Sequence, residues 1–514
     1  SASYNVAVGR QAMNTNLTGE KNTALGFKSL YYNSVGDNAV AVGYEALKDQ
    51  APSSNTDTYN IAVGYFAGTN VTTGIQNVVI GSNALTTSTT SNYQTAVGHE
   101  ALYSSITTAV DADAYNVAVG YKVMYDNTTG TRNTALGAHT LQNNLTGHYN
   151  TAVGMHALQA EEDGDFTTAI GYQALYNQNS DAAGQDVVNT AVGAAAGFGT
   201  STGIKNTFVG ANTGYGNGSA VGTGDENIAV GYYSGYNLTT AAANTLMGSG
   251  AGDSLTTGGY NVAVGIASLQ GEDTGRKNVA IGGYALTNQN SDTDNLNVAV
   301  GWEAGYGVTS GIQNTFVGGQ SGYAIVTGNS NTAIGFKSAY TNTSGTGNVA
   351  AGFGALYLNA TGSANTAIGA NALNDSVSAN NTAVGYHALK EADGAAAQNT
   401  AVGAYAGDGL DSGEYNTCMG YTALSAVVTG SYNVAIGSSS MLALTSGTRN
   451  VALGSLAMGV GVTTSADNVA IGYNALTDVT SGADNIAVGK DAAMNVTTGA
   501  NNVIIGKAAG DALV

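Results

Sequence analysis

A single phrase, Asn-Thr-Ala-Val-Gly with small variations, governs what this chain can become. It occurs 29 times in 514 residues. The first copy ends at Gly9 and the last at Gly506, with a dominant interval of 17 residues. Longer intervals of 19, 21 or 22 residues follow Gly43, Gly98, Gly171, Gly210 and Gly282. A short period carried through a whole chain is the mark of stacked repeats rather than of unrelated domains. The expectation is one repeat domain, 1–514, with one coil per copy.

Each place in the phrase has a physical reading. Three residues before the Gly, every copy has Val, Ile or Thr, as in Val6, Thr23 and Ile61. One residue before it, nearly all have Val, Ile, Leu or Met. Such residues at alternating places make a short strand. With 74 glycines the chain is too interrupted for helices. The phrase Gly itself implies a sharp turn or a positive φ. Seven residues earlier comes a second turn, often Thr-Gly, as at Thr18-Gly19 and Thr73-Gly74. Asp57, Asp113, Asp186 and Asp294 replace that Gly, and Asp tolerates left-handed turn geometry. Four residues before the phrase Gly stands Asn in 26 of 29 copies, including Asn189 and Asn206; the exceptions are Ala39, Gln94 and Thr167. One amide per coil can form a ladder along the stack.

A volume rule links neighbouring copies. Four residues after the phrase Gly there is usually a Leu or Met, and the centre of the next phrase is then Ala. The first place is a plug and the second its socket. All 18 large plugs are followed by an Ala socket. The bulky sockets are Val79, Phe208, Leu246, Phe316, Cys418 and Ile504. Each follows a small plug: Gly68, Gly197, Gly235, Gly305, Gly407 and Ala493. The small plugs Gly214, Gly252, Gly322 and Ala339 are nevertheless followed by Ala. Conserved volume is what close packing demands of residues that touch. Plug and next socket are therefore expected in contact, with each copy one rung of a parallel β-solenoid.

Seventeen residues hold about two short strands and two turns. The strand carries β-branched residues on one face and Ala on the other. One face fills the coil and the other wants a cover, because parallel strands are ordinarily covered on both faces. The expectation is self-association around an axis parallel to the stack. At roughly 4.8 Å per rung, the copies would make a rod on the order of 140 Å long.

Phrases such as Asn278-Val279-Ala280-Ile281-Gly282 followed by Ala285, and Asn468-Val469-Ala470-Ile471-Gly472 followed by Ala475, resemble the YadA-like head repeats of trimeric autotransporter adhesins. The Thr-Gly-x-x-Asn-Thr-Ala-Val-Gly-Tyr-x-Ala-Leu style is also similar to repeats in bacteriophage tail fibres. The resemblance covers essentially the whole chain. It implies a left-handed parallel β-roll, a homotrimer around one axis, and an extracellular fibre that meets a host or surface. The period is longer than is typical of the YadA-like head, which leaves the turns to be determined. No C-terminal membrane anchor and no cleaved chaperone domain is recognisable, so the resemblance does not choose between cell surface and virion.

Composition excludes several functions. A hydrophobic content of 43% with 9% charged residues is not that of a disordered chain. No apolar run spans a membrane. No signal peptide is visible, and a start at Ser1 without Met reads as a mature form or a fragment. The net charge of −20 argues against nucleic acid as a partner and reads as solubility of a long exposed object. The single cysteine, Cys418, excludes an intrachain disulfide framework; in a socket it reads as a buried hydrophobe rather than a nucleophile.

Chemistry is otherwise scarce. His99, His139, His156 and His387 fall one or two residues after a phrase Gly, where they read as variable turn residues, and His148 completes the set. With no ligand cluster, nucleophile elbow or phosphate loop, neither metal, cofactor nor catalysis is expected. Candidate contacts lie in the insertions, all placed between a plug and the next Asn: KDQAPSSNTDTYN, YSSITTAVDADAYN, YNQNSDAAGQDVVN, YGNGSAVGTGDEN and TNQNSDTDNLN. Their Asp57, Tyr59, Asp111, Asp113, Asp181, Asp186, Asp225, Asp292 and Asp294 suit hydrogen bonding to sugars, and loops on a rigid scaffold carry recognition. The plain alternative is a tolerated insertion at a solvent-facing corner. Of thirty tyrosines, many follow the Gly, such as Tyr44 and Tyr65, and others precede the Asn, such as Tyr4 and Tyr59; they read as aromatic packing, with stacking on glycans as the sharper alternative. Sequons at Asn16, Asn70, Asn127, Asn144 and Asn237 arise from the turn and establish no glycosylation.

The leading functional expectation is a non-enzymatic, trimeric structural and adhesive fibre of a virion tail or similar appendage, with a cell-surface glycan or protein receptor. The first alternative is a bacterial autotransporter-type adhesin head. The second is a polysaccharide-acting solenoid enzyme, which needs clustered carboxylates. Ice binding is a fourth, disfavoured because the strand Thr interchanges with Val and Ile and so reads as buried.

Overall fold

A computed structural model describes residues 2–106, 113–218, 222–392, 396–461 and 463–511. The chain divides into two compact units, Ser1–Tyr260 and Asn261–Val514, which share one architecture. In the first, three-residue strands run from β1 (Val6–Val8) to β14 (Thr245–Met247), one per coil. Each pairs with the next in parallel and in register, as Val6 with Thr23 and Thr190 with Thr207. The second repeats the pattern from β15 (Val262–Val264) to β29 (Val503–Ile505), with Val262 opposite Val279 and Val298 opposite Thr315. Among the described residues there is no α-helix, only a short 3-10 turn at Gly216–Gly218. Both units are parallel β-solenoids with coils of about 17 residues.

The coil departs from the expected two strands: only one regular strand forms. The reason lies in the plug segment. Residues two and four places after each phrase Gly are left-handed, as with Glu45 (φ 55) and Leu47 (φ 47). Alternating left-handed residues break an extended run. They do not break the stacking. Gly26 N donates to Val8 O at 2.9 Å on the coil before, while Leu30 N donates to Ala46 O at 3.1 Å on the coil after. Backbone groups are thus satisfied between coils almost all the way round, which a core this thin requires.

The phrase Gly is fixed by two constraints. Its φ lies between 125 and 144 in every copy, a region L side chains rarely adopt. A Cβ on Gly9 would also sit 2.5 Å from Gly26 O one coil on. The second turn corrects the sequence reading. Gly19 and Gly74 do not have positive φ, and neither do Asp57, Asp113, Asp186 or Asp294. Gly is needed at position 19 because a Cβ would lie 2.5 Å from Gly36 O. The left-handed residue is instead the one before the phrase Asn, where Tyr59 (φ 48) and Tyr415 (φ 58) stand.

The Asn ladder is present and bonds to backbone. Asn189 Oδ1 accepts from Asn206 N at 2.7 Å, and Asn189 Nδ2 donates to Gly203 O at 2.7 Å. Asn206 does the same for Asn227 N and Gly224 O, both at 2.9 Å. Each buried amide therefore ties a coil to the strand entry and the turn of the next.

Plug and socket meet as expected. A Cβ on Gly197 would lie 2.9 Å from Phe208 Cδ2, and one on Gly305 2.8 Å from Phe316 Cδ2. Gly197 has φ 64, close to the φ 49 of the large plug Leu175, so the backbone is the same and only volume differs. The structure also explains three exceptions. A Cβ on Gly214 would lie 2.5 Å from Phe208 Cδ1, one on Gly322 3.0 Å from Phe316 Cζ, and one on Gly252 2.8 Å from Leu246 Cδ2. A socket thus faces two plugs, its own and the preceding one. Phe and Leu sockets need both to be Gly. Val79 and Cys418 are smaller and coexist with Leu85 and Leu424 in their own coils. Ala339 followed by Ala350 has no such explanation.

Candidate binding surfaces

The outward face of the strands is uncovered in each unit. The central Ala of a strand is fully buried, while its two neighbours are half-buried or exposed. Leu136 is 48% exposed, Ile334 45% and Ile281 39%. The outer Val, Ile and Thr columns are therefore not buried within this chain, contrary to the sequence reading of the strand Thr. Coil after coil, one outward column is almost wholly Val, Ile, Leu or Met, while the other mixes Val and Ile with Thr, more apolar surface than the scattered hydrophobics of an ordinary monomer.

The insertions are more structured than plain loops. Asp57, Asp113, Asp186 and Asp294 each bridge in parallel to the turn one coil earlier, at Asp37, Asn92, Asp165 and Arg276. Asp57 accepts from Tyr59 Oη at 3.2 Å, and both are exposed. The Asp57 carboxylate raises the Tyr59 phenol above its ordinary value. Asp113 accepts from Tyr115 Oη at 3.1 Å. Asp294 meets Lys277 Nζ at 2.6 Å, and Asp292 accepts from Thr274 Oγ1 at 2.8 Å. Asp225 is half-buried and caps Ile204 N at 2.8 Å, a structural duty. Asp181 and Asp186 are exposed; Asp111 lies outside the described residues. In the first unit the insertions leave from coils two or more rungs apart, roughly 10 Å or more at one rung per 4.8 Å. They make separate contacts, not one cluster.

Sequence reasoning missed the inward half of these insertions. Gln50, Gln178 and Gln289 accept from the ladder amides of Asn60, Asn189 and Asn297 at 2.9, 2.6 and 2.7 Å. Glu161 and Glu272 are buried carboxyls that accept from Gly164 N and Gly275 N, each at 2.7 Å. Ser180 Oγ caps Glu161 at 2.9 Å, and Ser291 N approaches Glu272 at 3.4 Å. Burial holds the Glu272 carboxyl above its ordinary range despite those donors. A signal was available: Gln-Asn-Ser-Asp occurs in two insertions, each one coil after a Glu-x-x-Gly.

The aromatic residues form ladders. Tyr176, Phe198, Tyr215 and Tyr236 stack with centroids 5.3, 5.1 and 5.1 Å apart. Tyr306, Tyr323, Tyr340 and Tyr357 stack at 5.2, 5.0 and 5.0 Å. An interior ring of such a ladder has both faces covered and presents only its edge. Packing is thus their ordinary role, and a ring face is free only where a ladder stops.

The remaining candidates resolve simply. His148 Nδ1 takes Thr131 N at 2.9 Å, and His139 and His156 stack at 5.2 Å. Among the described residues, no three His, Cys, Asp or Glu are grouped to hold a metal, and no helix is long and apolar enough to cross a membrane. Cys418 is fully buried, and burial pushes its thiol up to about 12. Asn127 and Asn144 of the sequons are buried in the turn, each donating to its own turn glycine carbonyl at 3.2 Å. Asp375, Glu391 and Asp411, from three successive coils, line a cavity of about 280 Å³. Burial and the Glu391 charge raise the nearby Asp408 carboxyl.

Neither protein-family models nor curated proteins offer a match to this chain.

Proposed function

We propose that this chain forms a non-enzymatic, extracellular attachment fibre in which three copies pack around one axis as left-handed β-rolls. The observation that carries the reading is the outward strand face, uncovered in both units, with a nearly continuous column of Val, Ile, Leu and Met beside a column of Val, Ile and Thr. Burying a Val, Leu or Ile side chain is worth about 1.5–3 kcal/mol, so columns of them favour a cover strongly. Further copies of the chain offer that cover with the same periodicity, which no unrelated partner matches as simply. The number three, the handedness and the virion-tail setting come from the likeness of the repeats to YadA-like heads and phage tail fibres; a bacterial adhesin head shares all but the setting. The receptor side of the reading rests on the exposed Asp57, Tyr59, Asp113, Asp181, Asp186, Asp292 and Asp294.

Retention of the purified chain on intact bacterial cells tests the function. Loss of retention after periodate oxidation of the cell surface supports a glycan receptor, and loss after protease treatment a protein receptor. No retention on any cell type sinks the attachment reading. The competing enzyme reading is favoured by the carboxyl-lined cavity at Asp375, Glu391 and Asp411. It predicts release of soluble saccharide from cell-surface polysaccharide, abolished by Glu391→Gln; the fibre reading predicts no release.

A further inference from the structure

We infer that the step between the coils of Phe353 and Asn371 is a binding pocket for one neutral pyranose ring. Three columns change at the same place. The stack of Phe336 on Phe353, at 6.0 Å, is followed one coil on by Ala370. The tyrosine ladder that ends in Tyr357 is followed by Asn374. Between them, the column that holds Lys337 one coil earlier and Asn371 one coil later holds Gly354. Two aromatic ladders thus stop side by side, with a missing side chain between them. The result is a cavity of about 300 Å³, lined by Phe336, Phe353, Tyr357, Lys337, Asn371 and Asn374 around Gly354.

The lining selects the ligand class. Small-molecule sites are concave, mostly apolar, and carry a few placed polar groups. Here the apolar part is aromatic, and flat rings suit the C–H face of a sugar. Phe336 is 48% exposed and Phe353 57%. The polar part is amide and ammonium. Asn374 Nδ2 donates to Gly354 O at 2.9 Å, which leaves its amide oxygen for a hydroxyl. Asn371 Nδ2 is held by His387 Nε2 at 3.2 Å. Lys337 Nζ lies 5.3 Å from the centres of both Phe336 and Tyr340 and supplies a donor at the rim. The net charge of −20 disfavours polyanionic ligands.

The side chain missing at Gly354 leaves space and is not required by backbone shape. Its φ of 60 matches Lys337 (φ 55) and Asn371 (φ 53), so side chains are tolerated at this place. A Cβ there would meet Asn371 Oδ1 at 2.5 Å, the movable end of a side chain. Gly354→Gln, the residue found at the equivalent Gln173 and Gln320, therefore fills the pocket while keeping the coil.

The inference rests on the attachment reading for its biological use. Its test is saturation-transfer NMR of the full chain with methyl glycosides of neutral hexoses and N-acetylhexosamines. Transfer to the ring protons of at least one glycoside is expected. It should fall at least tenfold in Gly354→Gln, with an unchanged unfolding midpoint, and at least threefold in Asn374→Ala. Absence of transfer to every glycoside, or transfer undiminished in Gly354→Gln, overturns the pocket. A chain that self-associates without transfer overturns the pocket alone; one that binds glycoside as a single copy overturns the fibre alone.

Discussion

The two faces of each three-residue strand meet opposite fates. On the inward face of Thr207–Val209, Phe208 is enclosed by Gly197 and Gly214 of its own chain. On the outward face of the same strand, Val209 is 36% exposed. The inward face obeys a volume rule that the chain satisfies by itself. The outward face, here Thr207 and Val209, is also rich in β-branched side chains and has no partner within its unit. The contrast teaches that the repeat encodes one packing within the coil stack and leaves a second face that its own unit does not cover.

Breaking the inward packing is expected to have the largest effect. Phe316→Ala empties the space between Gly305 and Gly322 and should cost about 3–5 kcal/mol in denaturant unfolding. Gly305→Leu overpacks the same space and should cost about 1–3 kcal/mol. The double variant restores the Leu-plug, Ala-socket pairing of other coils and should be more stable than either single one. Losses that simply add would show that the two positions do not share a pocket. The ladder ranks next. Asn206→Ala strands Asn227 N and Gly224 O and should cost about 1–3 kcal/mol in the same assay. On the outward face, Ile334→Ser should change the unfolding free energy of a single dissociated chain by only about 0.5 kcal/mol while weakening its assembly in sedimentation. Smallest of all, Cys418 should ignore a thiol reagent in the native state and react on denaturation, since its thiol is buried and raised to about 12.

Much of the inward packing was legible because its rules are local. A phrase Gly every 17 residues, an Asn ladder and a plug matched to its socket all appear as fixed spacings in the sequence. The two-plug environment of Phe208 was less legible, since Gly214 pairs with a socket before it rather than after it. Backbone angles were harder still. Asp57 looked like a left-handed turn residue, whereas Tyr59 is one, because the turn is set by the approach of the next coil. Of the candidate contacts, Asp225 proved to be a cap, while Asp57, Asp113 and Asp294 remain at the surface beside their partners. The pocket at Gly354 was invisible to pattern reading, because it is made by two aromatic ladders ending beside a gap in a third column. The occupant of the outward face was not legible from one chain at all: exposure reveals the demand for a cover but not its source.

The mass of the native particle, by sedimentation equilibrium at micromolar concentration, tests the central claim that copies of this chain cover one another's outward strand faces. The account predicts three chains per particle, falling toward one when Ile281, Ile334 and Ile368 are replaced together by Ser. A soluble, folded single chain of 51.2 kDa across the concentration range would contradict it.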